Sequence, residues 1–151
     1  MAGYSGTPLV KKLGIKPGSN IVLVNAPSDY ATELDLPSDV TVNSRSGKPL
    51  DFAQLFVKSE KELQREFSAS AKRLSASGML WVSWPKKSSG VSTNLSENIV
   101  RDVGLAVGLV DVKVCAVNEV WSGLKFVFRL KDRPKVNQRK RVARTPNQHK
   151  D

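Results

Sequence analysis

Residues Trp84 to Asn94 read WPKKSSGVSTN, a concentration of groups suited to holding an anion. Lys86 and Lys87 contribute positive charge, Ser88, Ser89, Ser92 and Thr93 contribute hydroxyl donors, and Gly90 lets the backbone turn freely. A helix beginning after Asn94 adds free amides and the positive end of its dipole. The competing reading is that two lysines keep a sheet end soluble while the serines cap and turn the chain, since no glycine-rich phosphate fingerprint accompanies them. A second group lies at Trp121, Ser122 and Lys125. An exposed tryptophan there anchors a partner, whereas one folded under a hairpin only fills space. The ligand-binding candidates are therefore Trp84, Lys86, Lys87, Ser88, Ser89, Gly90, Thr93, Asn94, Trp121, Ser122 and Lys125.

Catalytic chemistry finds less support. A serine or cysteine nucleophile needs a neighbouring base, and the one histidine, His149, falls in the C-terminal tail. Gly47 and Lys48 imitate the end of a phosphate-binding loop, but Pro49 replaces the required Ser or Thr and Val42 replaces the earlier glycine. Asp29, Asp35 and Asp39 lie in loop-like sequence and read as solvated surface. Cys115, the single cysteine, sits in the run VDVKVCAV as a small buried hydrophobe and excludes both a disulfide framework and a cysteine metal site. No catalytic residue and no metal ligand is assigned.

The elements that must position these groups alternate between strands and helices, the pattern of parallel βαβ construction. Thr7 and Pro8 start a short helix that Gly14 stops. Asn20 to Asn25 is a continuous apolar run, as expected of a central strand covered on both faces. Ser28 to Leu36 is a weak helix, and Val40 to Asn43 and Ala53 to Val57 are strands. Ser59 and Glu62 form a capping box for a helix through Leu63, Phe67, Ala71 and Leu74, which Gly78 ends. Met79 to Trp84 is the fourth strand, with Trp81 and Trp84 on opposite faces. Asn94 and Glu97 form a second capping box, for a helix closing near Gly108. Val110 to Val117 and Leu124 to Leu130 are the last strands, joined by the loop Asn118 to Gly123, which is short enough for an antiparallel hairpin but not for a parallel crossover. Ligands of such open sheets bind beyond the carboxyl ends of the strands, where Lys86 to Thr93 must lie.

With 151 residues, 40% hydrophobic and 25% charged, the chain is expected to form one globular domain over residues 1–130. No run is apolar enough to span a bilayer and the N-terminus lacks the order of a signal peptide, so a cytoplasmic location without membrane contact is expected. Residues 131–151 carry eight Lys or Arg against two acids, while the rest of the chain carries sixteen against twelve, so most of the net charge of +10 sits in a tail. That tail has two prolines, little apolar content and no periodicity, and reads as flexible beyond about Pro134. Its cluster Arg139, Lys140, Arg141 and Arg144 suits weak, salt-sensitive, sequence-indifferent binding of nucleic acid, or simply a solubilising extension.

A mostly parallel sheet ending in an antiparallel hairpin resembles the class I S-adenosylmethionine-dependent methyltransferases over roughly residues 15 to 130, with GMLWVSWPK similar to one of their strands. MAGYSGTPLVKKLGIKPG, LWVSWPKK and GLVDVKVCAVNEVWSGLKFVFR further resemble a small bacterial family classed as a domain of unknown function. The resemblance implies a three-layer α/β, Rossmann-like sheet of about six strands, reduced by one strand and helix between Val40 and Ala53. It also implies a glycine-rich cofactor loop after the first strand and an acidic ribose-binding residue after the second. Here the first strand runs into Asn25, Ala26, Pro27, Ser28 and Asp29, and the second ends in Asn43, Ser44 and Arg45. No cofactor is therefore expected. The expectation is a non-catalytic binding module for a protein or small anionic ligand, with a nucleic-acid-associated protein and a divergent methyltransferase as alternatives.

Overall fold

The computed structural model of the chain describes residues 7–44 and 46–136. Strands β1 (Asn20–Val24), β2 (Thr41–Val42), β3 (Leu50–Phe56), β4 (Leu74–Pro85), β5 (Leu109–Ala116) and β6 (Trp121–Phe128) form one sheet in the order β2-β1-β3-β4-β6-β5. The first four strands are parallel, and β6 runs antiparallel between β4 and β5. The chain steps from β1 outward to β2, then returns past β1 to β3. That reversal leaves a crevice beyond the carboxyl ends of β1 and β3, the usual ligand position of such sheets.

Both faces are covered, but by different means. On one side α3 (Glu60–Arg73) and α4 (Glu97–Val107) bury Leu63, Phe67, Val100 and Val103 against Ala53, Leu55, Leu80, Val82, Leu124 and Phe126. Phe67 meets Phe126 edge to face at 5.1 Å. Gly104 lets α4 descend onto the sheet, since a Cβ there would lie 2.1 Å from Phe126 Cε2. On the other side α1 (Leu9–Leu13) and α2 (Tyr30–Leu34) cover Ile21, Phe52, Phe56 and Trp81. Helices of five residues do not persist alone. Directed bonds hold them: Trp81 Nε1 donates to the Leu13 carbonyl at 2.9 Å, and the Tyr30 hydroxyl donates to Gln54 Oε1 at 2.9 Å. Gln54 Nε2 in turn donates to Ser83 Oγ at 3.0 Å, so two fully buried polar side chains on the sheet satisfy each other.

Several local expectations are corrected. Gly78 does not end α3: the helix stops at Arg73 and Gly78 lies inside β4, where a Cβ would approach the Leu50 carbonyl oxygen to 2.8 Å. Its small size serves close passage at an irregularity of the β3–β4 ladder, rather than a cap. The second capping box does not form, because Ser96, not Asn94, caps α4 by accepting the Ile99 amide at 3.4 Å. The first forms in altered form: Ser59 Oγ accepts the Glu62 amide, while Glu62 reaches back one residue further, to the Lys58 amide. β6 begins at Trp121, which shortens the hairpin connection to 117–120 and makes Trp121 a strand residue. In β5, Asp111 opposes Phe126 but Lys113 opposes Lys125, leaving Val112 as the extra residue of a bulge. Beyond β6 a turn over Leu130–Asp132 leads to Val136, which is buried against the α3/α4 core, so packing continues past residue 130.

Candidate functional site

The crevice edge is built from the last residues of β1, β3 and β4, the start of α3 and the 86–96 connection. Asn25 leaves β1 with φ 59°, a left-handed conformation that asparagine tolerates, and its Nδ2 donates to Glu62 Oε2 at 3.3 Å. Glu62 Oε1 accepts the Lys58 amide at 2.9 Å. Thr93 Oγ1 donates to the Lys58 carbonyl at 2.6 Å and accepts the Leu95 amide at 3.1 Å. Asn94 Oδ1 accepts the Glu60 amide at 3.0 Å. The connection thus folds back over the start of α3 and satisfies one of that helix's free donors, the Glu60 amide, from 34 residues away. On the outer side of β1, Asn43 Oδ1 accepts the Leu23 amide at 2.9 Å and extends the sheet's bonding beyond the short β2.

The loop after β4 is anchored at its base by the Lys86 amide, which donates to the Val120 carbonyl at 2.7 Å. Ser89 Oγ donates to the Lys86 carbonyl at 2.6 Å and accepts the Val91 amide at 3.1 Å. Gly90 turns the chain with φ 77°. Lys87, Ser88 and Gly90 are exposed, and Lys86 and Ser89 are half-buried.

The eleven ligand candidates do not converge. Lys86 to Gly90 form one outward-facing loop, whereas Thr93 and Asn94 are committed to α3. Trp84 is 6% exposed in the α3/α4 core, and Trp121 is 9% exposed on the opposite face, edge to face with Phe56 at 5.0 Å. Of the two readings of Trp121, the packed one describes its position, because its ring closes the aromatic stack Tyr30–Phe56–Trp121. Ser122 pairs with Trp84, and Lys125, four positions along β6 from its first residue Trp121, pairs with Trp81. That places Lys125 about 13 Å from the edge at ~3.3 Å per residue. The tail candidates Arg139, Lys140, Arg141 and Arg144 lie outside the described residues.

Sequence reasoning missed Asn25, Asn43 and Glu62 as structural clasps, and the buried line Tyr30–Gln54–Ser83. Alternation along β3 and β4 puts Gln54 and Ser83 on one face, but nothing local shows that they meet. Burial raises the Tyr30 phenol above its ordinary value, against the opposing effect of its bond to Gln54. Cys115 is half-buried, and desolvation raises its thiol despite the nearby charges of Lys113 and Lys12. A thiol held neutral in this way is a poor nucleophile. Among the described residues no group of three or more His, Cys, Asp or Glu could hold a metal, and no helix is long and apolar enough to cross a membrane.

Neither a protein-family model nor a curated protein matches the chain. Solved structures do. A SAM-dependent methyltransferase from Aquifex aeolicus superposes with TM-score 0.57 at 15% identity, covering 78% of this chain and 86% of that one. Aeropyrum pernix fibrillarin, solved with S-adenosyl-L-methionine, gives 0.55 at 13% identity over 83% of this chain and 70% of its own. A ribosomal protein L11 methylase from Lactobacillus delbrueckii subsp. bulgaricus gives 0.52 at 10% identity over 80% and 75%. At these identities the likeness establishes a class I methyltransferase-like, Rossmann-like α/β fold.

Proposed function

We propose, starting from a methyltransferase-like fold whose crevice edge is clasped by its own side chains, that this chain is a non-catalytic module binding a small anionic ligand or an anionic protein segment through Lys86–Gly90. The observation that carries this reading is the fate of the polar groups where the fold's relatives are expected to hold S-adenosylmethionine. Asn43 stands where a ribose-binding acid is expected, and its carbonyl already takes the Leu23 amide. Asn25 stands where a glycine would admit the cofactor, and its amide is held by Glu62. The residues present do not fit that cofactor, because accepting it would break bonds that the fold uses to extend β1 and to start α3. Lys86 and Lys87, in the loop that follows β4, are cations at this edge able to meet an anion.

The fold likeness itself favours a second reading, a divergent methyltransferase with an unorthodox cofactor site. Isothermal titration with S-adenosylmethionine separates the two. No heat of binding is expected, and saturable one-to-one binding would overturn the non-catalytic reading. In parallel, inorganic phosphate and pyrophosphate should perturb amide resonances of Lys86–Gly90. That response should vanish in Lys86→Ala with Lys87→Ala at an unchanged melting temperature; an undiminished response would remove the loop from consideration.

A further inference from the structure

A second basic surface lies away from the crevice. Lys113 and Lys125 stand directly opposite each other on β5 and β6. Lys125 also neighbours Trp81 on β4, whose indole holds the end of α1, and its Nζ lies 3.9 Å from where a Cβ on Gly14 would sit. Lys113 Nζ donates to the Lys12 carbonyl at 3.1 Å, in the last turn of α1. Lys16 follows just beyond that helix. Lys113 and Lys125 thereby lie where α1 ends over the β5–β6 ladder, with Lys12 and Lys16 contributed by that end of the helix and the residues after it.

Like charges directly opposite on paired strands repel, so the fold keeps an arrangement that an external anion would relieve. Burial lowers the Lys125 ammonium below its ordinary range, and the charges of Lys113 and Lys16 push it the same way. Among the described residues no carboxylate pairs with Lys16, Lys113 or Lys125. The ion pairs there join Arg65 to Glu66, and Arg101 to Glu97 and Asp111.

We propose that Lys12, Lys16, Lys113 and Lys125 form a docking surface for the phosphate backbone of nucleic acid. Point charges spread over a helix, its following loop and two strands match a repeating row of phosphates better than one small anion. A lipid surface is the poorer match, because membrane-surface binders carry a large apolar face beside their cations, whereas the large apolar residues exposed among the described residues are spread over α4 (Leu105, Val107), β5 (Val112, Val114) and the turn after β6 (Leu130) and form no single face. Every described Phe, Tyr and Trp is buried, so bases have no ring to stack on and binding is indifferent to sequence. This surface depends neither on the Lys86–Gly90 loop nor on the arginines of the tail.

Fluorescence anisotropy of the full chain with a short mixed-sequence duplex, measured over a salt series, tests it. Lys113→Gln with Lys125→Gln should weaken binding about tenfold at moderate salt and reduce the slope of log K against log salt by about two. The melting temperature should stay level or rise, since repulsion is removed, which separates lost binding from lost folding. Undiminished affinity and slope in that variant would overturn the proposal. So would loss of all binding on neutralising Arg139, Lys140, Arg141 and Arg144 while the lysine variant binds as wild type. Capture by phosphatidylserine vesicles without capture of the duplex would also overturn it. Unchanged duplex affinity in the Lys86→Ala, Lys87→Ala protein is expected, and keeps this surface distinct from the crevice loop.

Discussion

The two faces of the sheet solve the same covering problem in opposite ways. The α3/α4 face uses two helices of 14 and 11 residues with serine caps, and rests on a large apolar cluster in which Phe67 meets Phe126 edge to face. The α1/α2 face uses two five-residue helices and pins each with a buried hydrogen bond, from the Trp81 indole to the Leu13 carbonyl and from the Tyr30 hydroxyl to Gln54. Area stabilises in proportion to what is buried and tolerates small rearrangement. A directed bond in a dry interior is unforgiving, because breaking it strands its partner. The contrast teaches that a short cover can hold if its few contacts are geometrically specific.

Four substitutions probe that contrast, beginning with the largest effect. Phe126→Ala removes the ring that meets Phe67 and Gly104, and urea unfolding should register a loss of about 3–5 kcal/mol. A loss no greater than that of the variants on the other face would break the contrast. Trp81→Phe keeps most of the apolar area but leaves the Leu13 carbonyl without its donor, costing about 1–3 kcal/mol. Amide exchange in α1 should then accelerate ahead of global unfolding; unaltered protection of α1 would show that area alone holds it.

Tyr30→Phe should cost about 1 kcal/mol at neutral pH by removing the donor to Gln54. The buried phenol has its folded value raised above the ordinary 10.0. Its contribution is therefore fully present below pH 10.0 and is lost as pH rises towards the folded value, because the unfolded chain releases the proton first. Urea unfolding at alkaline pH should give a steeper decline for wild type than for the phenylalanine variant. Parallel curves would show that the phenol is not what makes this face alkali-sensitive; Cys115, also raised, is present in both proteins and cancels. Asn94→Ala is the mildest change, at about 0.5 kcal/mol, since Ser59 still caps α3. A thermal melt shifted as far as that of Tyr30→Phe would mean that the crevice connection matters more to stability than its exposure suggests.

What could be seen in the sequence follows the range of each signal. Pro8 and Gly14 bounding α1, Ser59 capping α3 and Gly108 closing α4 act within a few residues, and all were legible. The antiparallel position of β6 followed from the shortness of its connection to β5. Gly78 was misread because a glycine can mark a stop or a close passage, and only the Leu50 carbonyl beside it decides which. Asn94 carried a capping signal for the nearer helix but serves the farther one. The candidate site fared worse for the same reason. Its residues form two clusters in sequence, around Trp84 and Trp121, yet the register of β4 and β6 puts the two tryptophans on opposite faces, and the lysines that do gather come from opposite ends of the chain.

The bulge at Val112 settles how charge is distributed through the thickness of this molecule. In a strand of constant parity, Asp111 and Lys113 would share a side. One surplus residue changes the parity, so the aspartate turns towards Arg101 on α4 while the lysine turns towards Lys125 and the end of α1. A single uncommitted valine thereby gives the sheet's outer strand a neutralised side and a cationic side, and makes the protein electrically two-sided at that edge.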